Sequence, residues 1–240
     1  MGDDMHTEIF DLFGYDIYVS GDHRFGTDAL LLAEFANPSP KDIVCDLCSG
    51  CGIIPMLFHA WGKAPSKAYS VEIQEEAAEL MRMTVEKNRL EDKLIPVKAD
   101  LTKDEELSAV PFGRISLVTV NPPYYRPGCG EERLSPAQAR ARHELLCDLE
   151  SVIRAASLLL KYGGYLKMCH IPERLADIFC LMRKYGIEPK VMKFAHHRDT
   201  SAKPYLVLVS GKKGGKPGLV AEKPVTVEEM DKRLFDRGNK

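Results

Sequence analysis

An open, mostly parallel α/β sheet with helices on both faces and an antiparallel pair at one edge is the fold class this sequence predicts. Three observations carry the prediction. From residue 41 onward, short apolar runs alternate with helical segments, the pattern of strand–helix–strand units. The runs are apolar almost throughout, as in strands covered on both faces. The last two strands have only residues 195–204 between them, a spacing that suits antiparallel pairing better than a crossover.

The elements follow in order. Residues 1–24 form an N-terminal extension, with alternating segments at 8–13 and 15–19 joined at Gly14 as a hairpin or edge ribbon. Phe25-Gly-Thr-Asp28 opens a helix over 29–36 with Thr27 or Asp28 as N-cap, and Asn37-Pro-Ser-Pro40 closes it. Strands are predicted over 43–47, 68–71, 94–98, 115–120, 164–169, 188–194 and 205–210. Helices are predicted over 53–61, 74–88, 149–160 and 172–185. One domain is expected over 25–220, with a charged C-terminal tail over 221–240.

Composition excludes several classes. At 240 residues, 45% hydrophobic and 28% charged, the chain reads as a globular protein of ordinary make-up. No apolar run approaches the ~20 residues of a membrane span. The acidic, polar N-terminus is no secretory signal, so a cytoplasmic protein is expected, with its seven scattered cysteines reduced. A net charge of −2 gives no whole-protein attraction to nucleic acid, so such binding would need a local patch.

Chemistry concentrates at strand ends. The run over 115–120 delivers Asn121-Pro122-Pro123-Tyr124. Two prolines cannot continue a central strand, so the chain leaves the sheet presenting an amide and then an aromatic ring. The Asn121 side-chain oxygen and the Pro122 carbonyl can together accept two hydrogen bonds from one –NH2 group, and Tyr124 offers a flat stacking face. Asp46-Leu-Cys-Ser-Gly50-Cys-Gly52 stands at the end of the first parallel strand, where open α/β sheets bind ligands. Its spacing is Asp-x-x-x-Gly-x-Gly, and the leading Asp46 suits a ligand bearing an ammonium or sulfonium rather than a diphosphate. Glu72, at the end of the second strand, can accept from both hydroxyls of a ribose. Asp100, at the end of the third, can accept from the amino group of an adenine.

With these residues in place the chain resembles the class I S-adenosylmethionine-dependent methyltransferases. The resemblance covers roughly residues 25–210 and implies a seven-stranded, mostly parallel sheet whose last-added strand is antiparallel. It implies S-adenosylmethionine as cofactor, with S-adenosylhomocysteine as product. Arg24-Phe-Gly-Thr-Asp-Ala-Leu-Leu-Leu32, Asn121-Pro-Pro-Tyr-Tyr125 and Ala139-Arg-Ala-Arg-His-Glu144 together resemble the bacterial family that makes N6-methyladenine in valine tRNA beside the anticodon. On that likeness alone, Thr27 and Asp28 are carried over as cofactor contacts. The Asn-Pro-Pro-Tyr logic is shared by glutamine-amide methyltransferases and by rRNA base methyltransferases, and a non-enzymatic RNA-binding protein with a vestigial cofactor site is a further alternative.

Cys45, Cys48 and Cys51 have the spacing of an iron–sulfur run, but they straddle a strand and a glycine turn and are read as packing residues, with no metal expected. His196-His197 reads as part of a basic loop. Residues 183–218 hold nine Lys/Arg against two acids, and Arg126, Arg140 and Arg142 follow Tyr124. From these, Lys193, Arg198 and Lys203 with the three arginines are taken as candidate RNA contacts, tRNA being the expected partner.

Overall fold

A computed structural model describes residues 7–21, 23–123 and 149–230. The chain opens with an antiparallel hairpin, β1 (Glu8–Leu12) and β2 (Tyr15–Val19). Both turn residues, Phe13 and Gly14, have positive φ (53° and 87°), the combination that matches the twist of a two-residue hairpin. The hairpin docks on a helix rather than extending the main sheet. Tyr18 N donates to Thr84 Oγ1 and Asp16 N to Asn88 Oδ1, both at 3.0 Å, and both acceptors belong to the second half of the helix at 75–87 or its C-cap.

The rest follows the alternation: α1 (Thr27–Ala36), β3 (Ile43–Leu47), α2 (Ile53–Ala60), β4 (Lys67–Glu72), α3 (Glu75–Lys87), β5 (Leu94–Lys98) and β6 (Ile115–Val120). Beyond residue 148 come α4 (Leu149–Leu159), β7 (Leu160–His170), α5 (Leu175–Lys184), β8 (Ile187–His196) and β9 (Leu206–Lys213). Gly26, not Thr27 or Asp28, is the N-cap of α1; it is extended and makes no side-chain cap bond, so both candidate caps lie inside the first turn. The last predicted helix begins as a 3-10 turn at Pro172–Arg174 before α5.

Strand order is β5-β4-β3-β6-β7-β9-β8. β3 through β7 run parallel, while β9 lies antiparallel to both β7 and β8. Order reverses between β3 and β6, so a crevice opens there at the carboxyl ends of the strands, the place where sheets of this kind take ligands. Period-two alternation divides the core. Val44, Leu117, Cys169, Leu206 and Leu208 face α1 and α2, whereas Cys45, Val118, Met168, Val207 and Val209 belong to the cluster with α4 and α5.

The expected charged tail over 221–240 is corrected in its first part. Two short strands, β10 (Val220–Ala221) and β11 (Val225–Thr226), pair in parallel with β8, and Met230 is fully buried. Thr226 and Glu229 then exchange backbone–side-chain bonds, a capping box that starts a helix. Among the described residues no helix is long and apolar enough to cross a membrane.

Candidate functional site

The chain leaves β3 through a turn of left-handed residues: Cys48 (φ 55°), Gly50 (φ 55°) and Gly52 (φ 81°). Glycine adopts this region freely and cysteine only at a cost, so Cys48 is held there by the surrounding turn. Ser49 N donates to Val71 O on β4 and Gly52 N to Ser49 O, both at 3.0 Å. A Cβ on Gly52 would stand 3.0 Å from Met81 Cγ, so the turn packs closely on α3. A Cβ on Gly50 would meet nothing within 4 Å, so the outer side of the loop faces open space.

Asp46 lies behind this loop and is 0% exposed. Ser49 Oγ donates to its Oδ2 and Thr119 Oγ1 to its Oδ1, each at 2.6 Å, and Thr119 is its register neighbour on β6. Burial pushes its carboxyl up to about 7, against the lowering effect of the two hydroxyls. This differs from a carboxylate standing open to a cationic ligand: both oxygens are engaged within the protein, and Asp46 braces the glycine turn against β6. Sequence reasoning does not single out the donors that hold it. Thr119 is a polar residue inside an apolar run, which is the available signal.

Glu72 ends β4 and is 5% exposed. Its Oε2 accepts from Gly50 N at 2.8 Å, and Oε1 from Ile73 N at 3.0 Å and Gln74 N at 3.1 Å. One carboxylate thereby fixes the glycine loop to the β4–α3 turn and keeps lone-pair capacity for further donors. Asp100 follows β5 and is partly exposed. Thr102 N (2.9 Å) and Thr102 Oγ1 (2.7 Å) donate to its Oδ1 and hold its carboxyl below the usual range. Arg154 of α4 secures the same loop by donating to Leu101 O and Asp104 Oδ1.

Asn121 leaves β6 on the other side of the crevice from the glycine loop. Cys169 Sγ of β7 lies 3.0 Å from Asn121 Oδ1 and donates to it. Pro122 is buried and Pro123 exposed. Thr27 and Asp28 occupy the first turn of α1, just after Phe25, whose ring meets Phe10 of the hairpin edge-on at 5.3 Å. Tyr124, Arg126, Arg140 and Arg142 lie outside the described residues. His170, after Cys169, is buried; its Nδ1 accepts from Ile171 N at 2.9 Å, and desolvation and Arg174 lower its pKa to about 4, so it is neutral near pH 7.

The basic segment is less free than its sequence suggests. Lys193 Nζ pairs with Glu222 Oε2 at 2.7 Å and sits 5.8 Å from the centre of the Phe35 ring. Arg183 pairs with Glu188 and Lys184 with Glu150. Arg198 is 75% exposed and only 3.7 Å from Glu228, and Lys203 is exposed on the same β8–β9 loop. His197 stacks on Tyr205 at 4.0 Å, and His196 Nδ1 donates to Ser201 O at 3.1 Å, so the loop is shaped. Because β8 runs parallel to β7, this loop leaves the sheet at the edge that carries Asn121. A cavity of about 690 Å³ lies apart from these strand ends, between α1, the end of α2 and the C-terminal segment.

Cys45 belongs to the core on the α4–α5 side and Cys51 to the opposite core, with burial raising both thiols. Among the described residues, no three or more His, Cys, Asp or Glu side chains gather as metal ligands would.

Comparison with known proteins adds to this geometry. The family described as "Methyltransferase small domain" matches residues 17–169. A protein of Porphyromonas gingivalis named tRNA1(Val) (adenine(37)-N6)-methyltransferase is 29% identical over 181 residues, covering 72% of this chain and 69% of its own. A protein of the same name from Photorhabdus laumondii is 25% identical over 222 residues, covering 87% and 82%. Among solved structures, one described as a predicted O-methyltransferase from Agrobacterium tumefaciens aligns with a TM-score of 0.67 at 21% identity, over 88% of this chain and 96% of the other. TYW2 of M. jannaschii in complex with AdoMet aligns with a TM-score of 0.58 at 13% identity, over 88% and 87%.

Proposed function

The chain belongs to the methyltransferase small domain family, and we propose that it moves a methyl group from S-adenosylmethionine to N6 of an adenine in tRNA. The observation that carries this reading is the placement of Asn121 across the β3–β6 crevice from the glycine loop, with Pro122 next in the chain. An amide and a carbonyl oxygen at that point suit an exocyclic amino group. The names of the relatives above support the choice of acceptor.

The residues fit the cofactor. The open space before Gly50 admits a ligand against the backbone, Glu72 can accept from ribose hydroxyls, and Asp100 can accept from an adenine amino group. Asp46 acts through the loop it braces, and Thr27 and Asp28 close the site from α1 on the ground of family likeness. When bound, S-adenosylmethionine supplies an electrophilic methyl on a sulfonium.

Asn121 Oδ1 and the Pro122 carbonyl accept the two amino hydrogens of the acceptor. That draws the nitrogen lone pair out of the ring system and directs it toward the methyl carbon. Asn121 and Pro122 would thereby present the amino nitrogen to the methyl group that S-adenosylmethionine would supply on its sulfonium, the N–C bond forming at the expense of the S–C bond, and one amino proton would pass to solvent. Tyr124 stacks on the base after it leaves the helix or loop that held it. Arg198 and Lys203, with Arg126, Arg140 and Arg142, meet phosphates, and Lys193 contributes less because Glu222 neutralises it.

Methyl transfer from labelled cofactor to total tRNA, rRNA and protein extract, followed by nucleoside and amino-acid analysis, tests the reading. N6-methyladenosine in tRNA is the expected product. Label confined to glutamine side chains of protein would replace it.

A further inference from the structure

We infer that Cys169 is the positioning residue that orients Asn121 for the transfer step, an inference that rests on the methyltransferase reading above. An asparagine amide has two chemically different ends of nearly equal shape, and only the oxygen accepts hydrogen bonds. If the amide turned over, an NH2 group would meet the amino group of the acceptor, donor against donor.

Cys169 selects the orientation. Its Sγ lies 3.0 Å from Asn121 Oδ1, and the contact joins neighbouring strand ends, since Val120 pairs with Met168 in the β6–β7 ladder. The side chain is fully buried, on the face of the sheet that carries Leu117 and Leu208. β7 is flanked by β6 and β9, so the sulfur is carried on an interior strand. The thiol proton occupies one lone pair of Oδ1 and leaves the second for an amino hydrogen of the acceptor. Asn121 Nδ2 then points away from the sulfur.

Cys169→Val keeps a similar volume without a donor, and Cys169→Ser keeps a donor. In the valine variant, kcat for methyl transfer is expected to fall by about tenfold or more, because a misplaced reacting group costs more than one weak hydrogen bond. The affinity for cofactor and the thermal midpoint stay near wild type, and serine recovers most of the missing turnover. In an Asn121→Ala background, Cys169→Val has no further effect on kcat, because the residue acts through that amide. A valine variant with wild-type kcat overturns the proposal. So does a serine variant as slow as valine, or a further fall in the Asn121→Ala background. A wild-type protein that methylates no nucleic acid or protein acceptor overturns the functional reading, and this proposal with it.

Discussion

On the β3–β4 side of the crevice, Asp46 and Glu72 are buried and together accept five hydrogen bonds from loop, strand and turn donors. On the β6 side, Asn121 is partly exposed and, among the described residues, its oxygen is met by one sulfur, while the β8–β9 loop carries Arg198 in a loose, solvent-facing pair. The first side is organised before anything binds. Among the described residues, the second holds its groups through few bonds and has cations that water already solvates. A small cofactor can be met by a fixed surface. A large polyanion of the kind proposed would bring interactions of its own, so its side would need less internal order and more charge. Variants on the first side are therefore expected to change stability and cofactor affinity together, and variants on the second to change turnover or salt dependence alone.

The largest effect is expected at Asp46. Its carboxyl, raised to about 7 by burial, stays protonated in the folded chain where the unfolded chain has already ionised. Folding stability contributed by this group therefore falls as pH rises from about 4 to about 7 and is level above, a change on the order of 4 kcal/mol. His170 acts oppositely: its lowered pKa makes stability rise from about pH 4 to about 6.5. Only the difference between wild type and Asp46→Asn isolates the first effect. Denaturant unfolding across this pH range should show the stability of the variant relative to wild type rising with pH. A constant difference would mean that Asp46 is not buried as described.

Glu72→Ala comes next. It leaves the N–H groups of Gly50, Ile73 and Gln74 without their acceptor and should cost about 1–3 kcal/mol in cofactor affinity, with a fall in thermal midpoint. Calorimetry with S-adenosylhomocysteine and a melting curve would show both; weaker affinity with an unchanged midpoint would break the link between loop order and binding. Gly50→Ala should cost about 1–2 kcal/mol for a side chain at a left-handed position, although nothing stands in its way. A variant as stable as wild type would mean that the turn relaxes.

The smallest effect is expected on the other side. Charge reversal at Arg198 and Lys203 should weaken RNA binding and reduce the salt slope by roughly 0.7–0.9 for each phosphate no longer neutralised. Reversal at Lys193 should do less, because Glu222 lies 2.7 Å from its Nζ. Binding titrations at several salt concentrations rank the three. Equal effects at all three positions would mean that RNA displaces Glu222.

The strand ends are legible in the sequence because local chemistry marks them. Apolar runs end at or within two residues of Asp46, Glu72, Asp100 and Asn121, and glycine after Asp46 and proline after Asn121 show that the chain turns there. Pairings between distant residues leave little mark. Thr119 meets Asp46 across 73 positions, and Cys169 meets Asn121 across 48, and no periodicity pairs either. A charge count over 183–218 misses Glu150, Glu222 and Glu228 because these acids enter from outside that window. β10 and β11 have two residues each, too few for an alternating pattern, so packed chain reads as tail. The N-cap of α1 is Gly26 because its extended backbone, rather than a side-chain oxygen, begins the helix.

The division between the two sides is tested most directly by Asn121→Ala, with cofactor affinity from calorimetry set beside the single-turnover rate of methyl transfer to tRNA. On the proposed reading the amide acts on the acceptor rather than on the cofactor, so the rate is expected to fall by about a hundredfold or more while affinity stays near wild type. A wild-type rate, or a rate and an affinity that fall together, would contradict the assignment of Asn121 to the acceptor side.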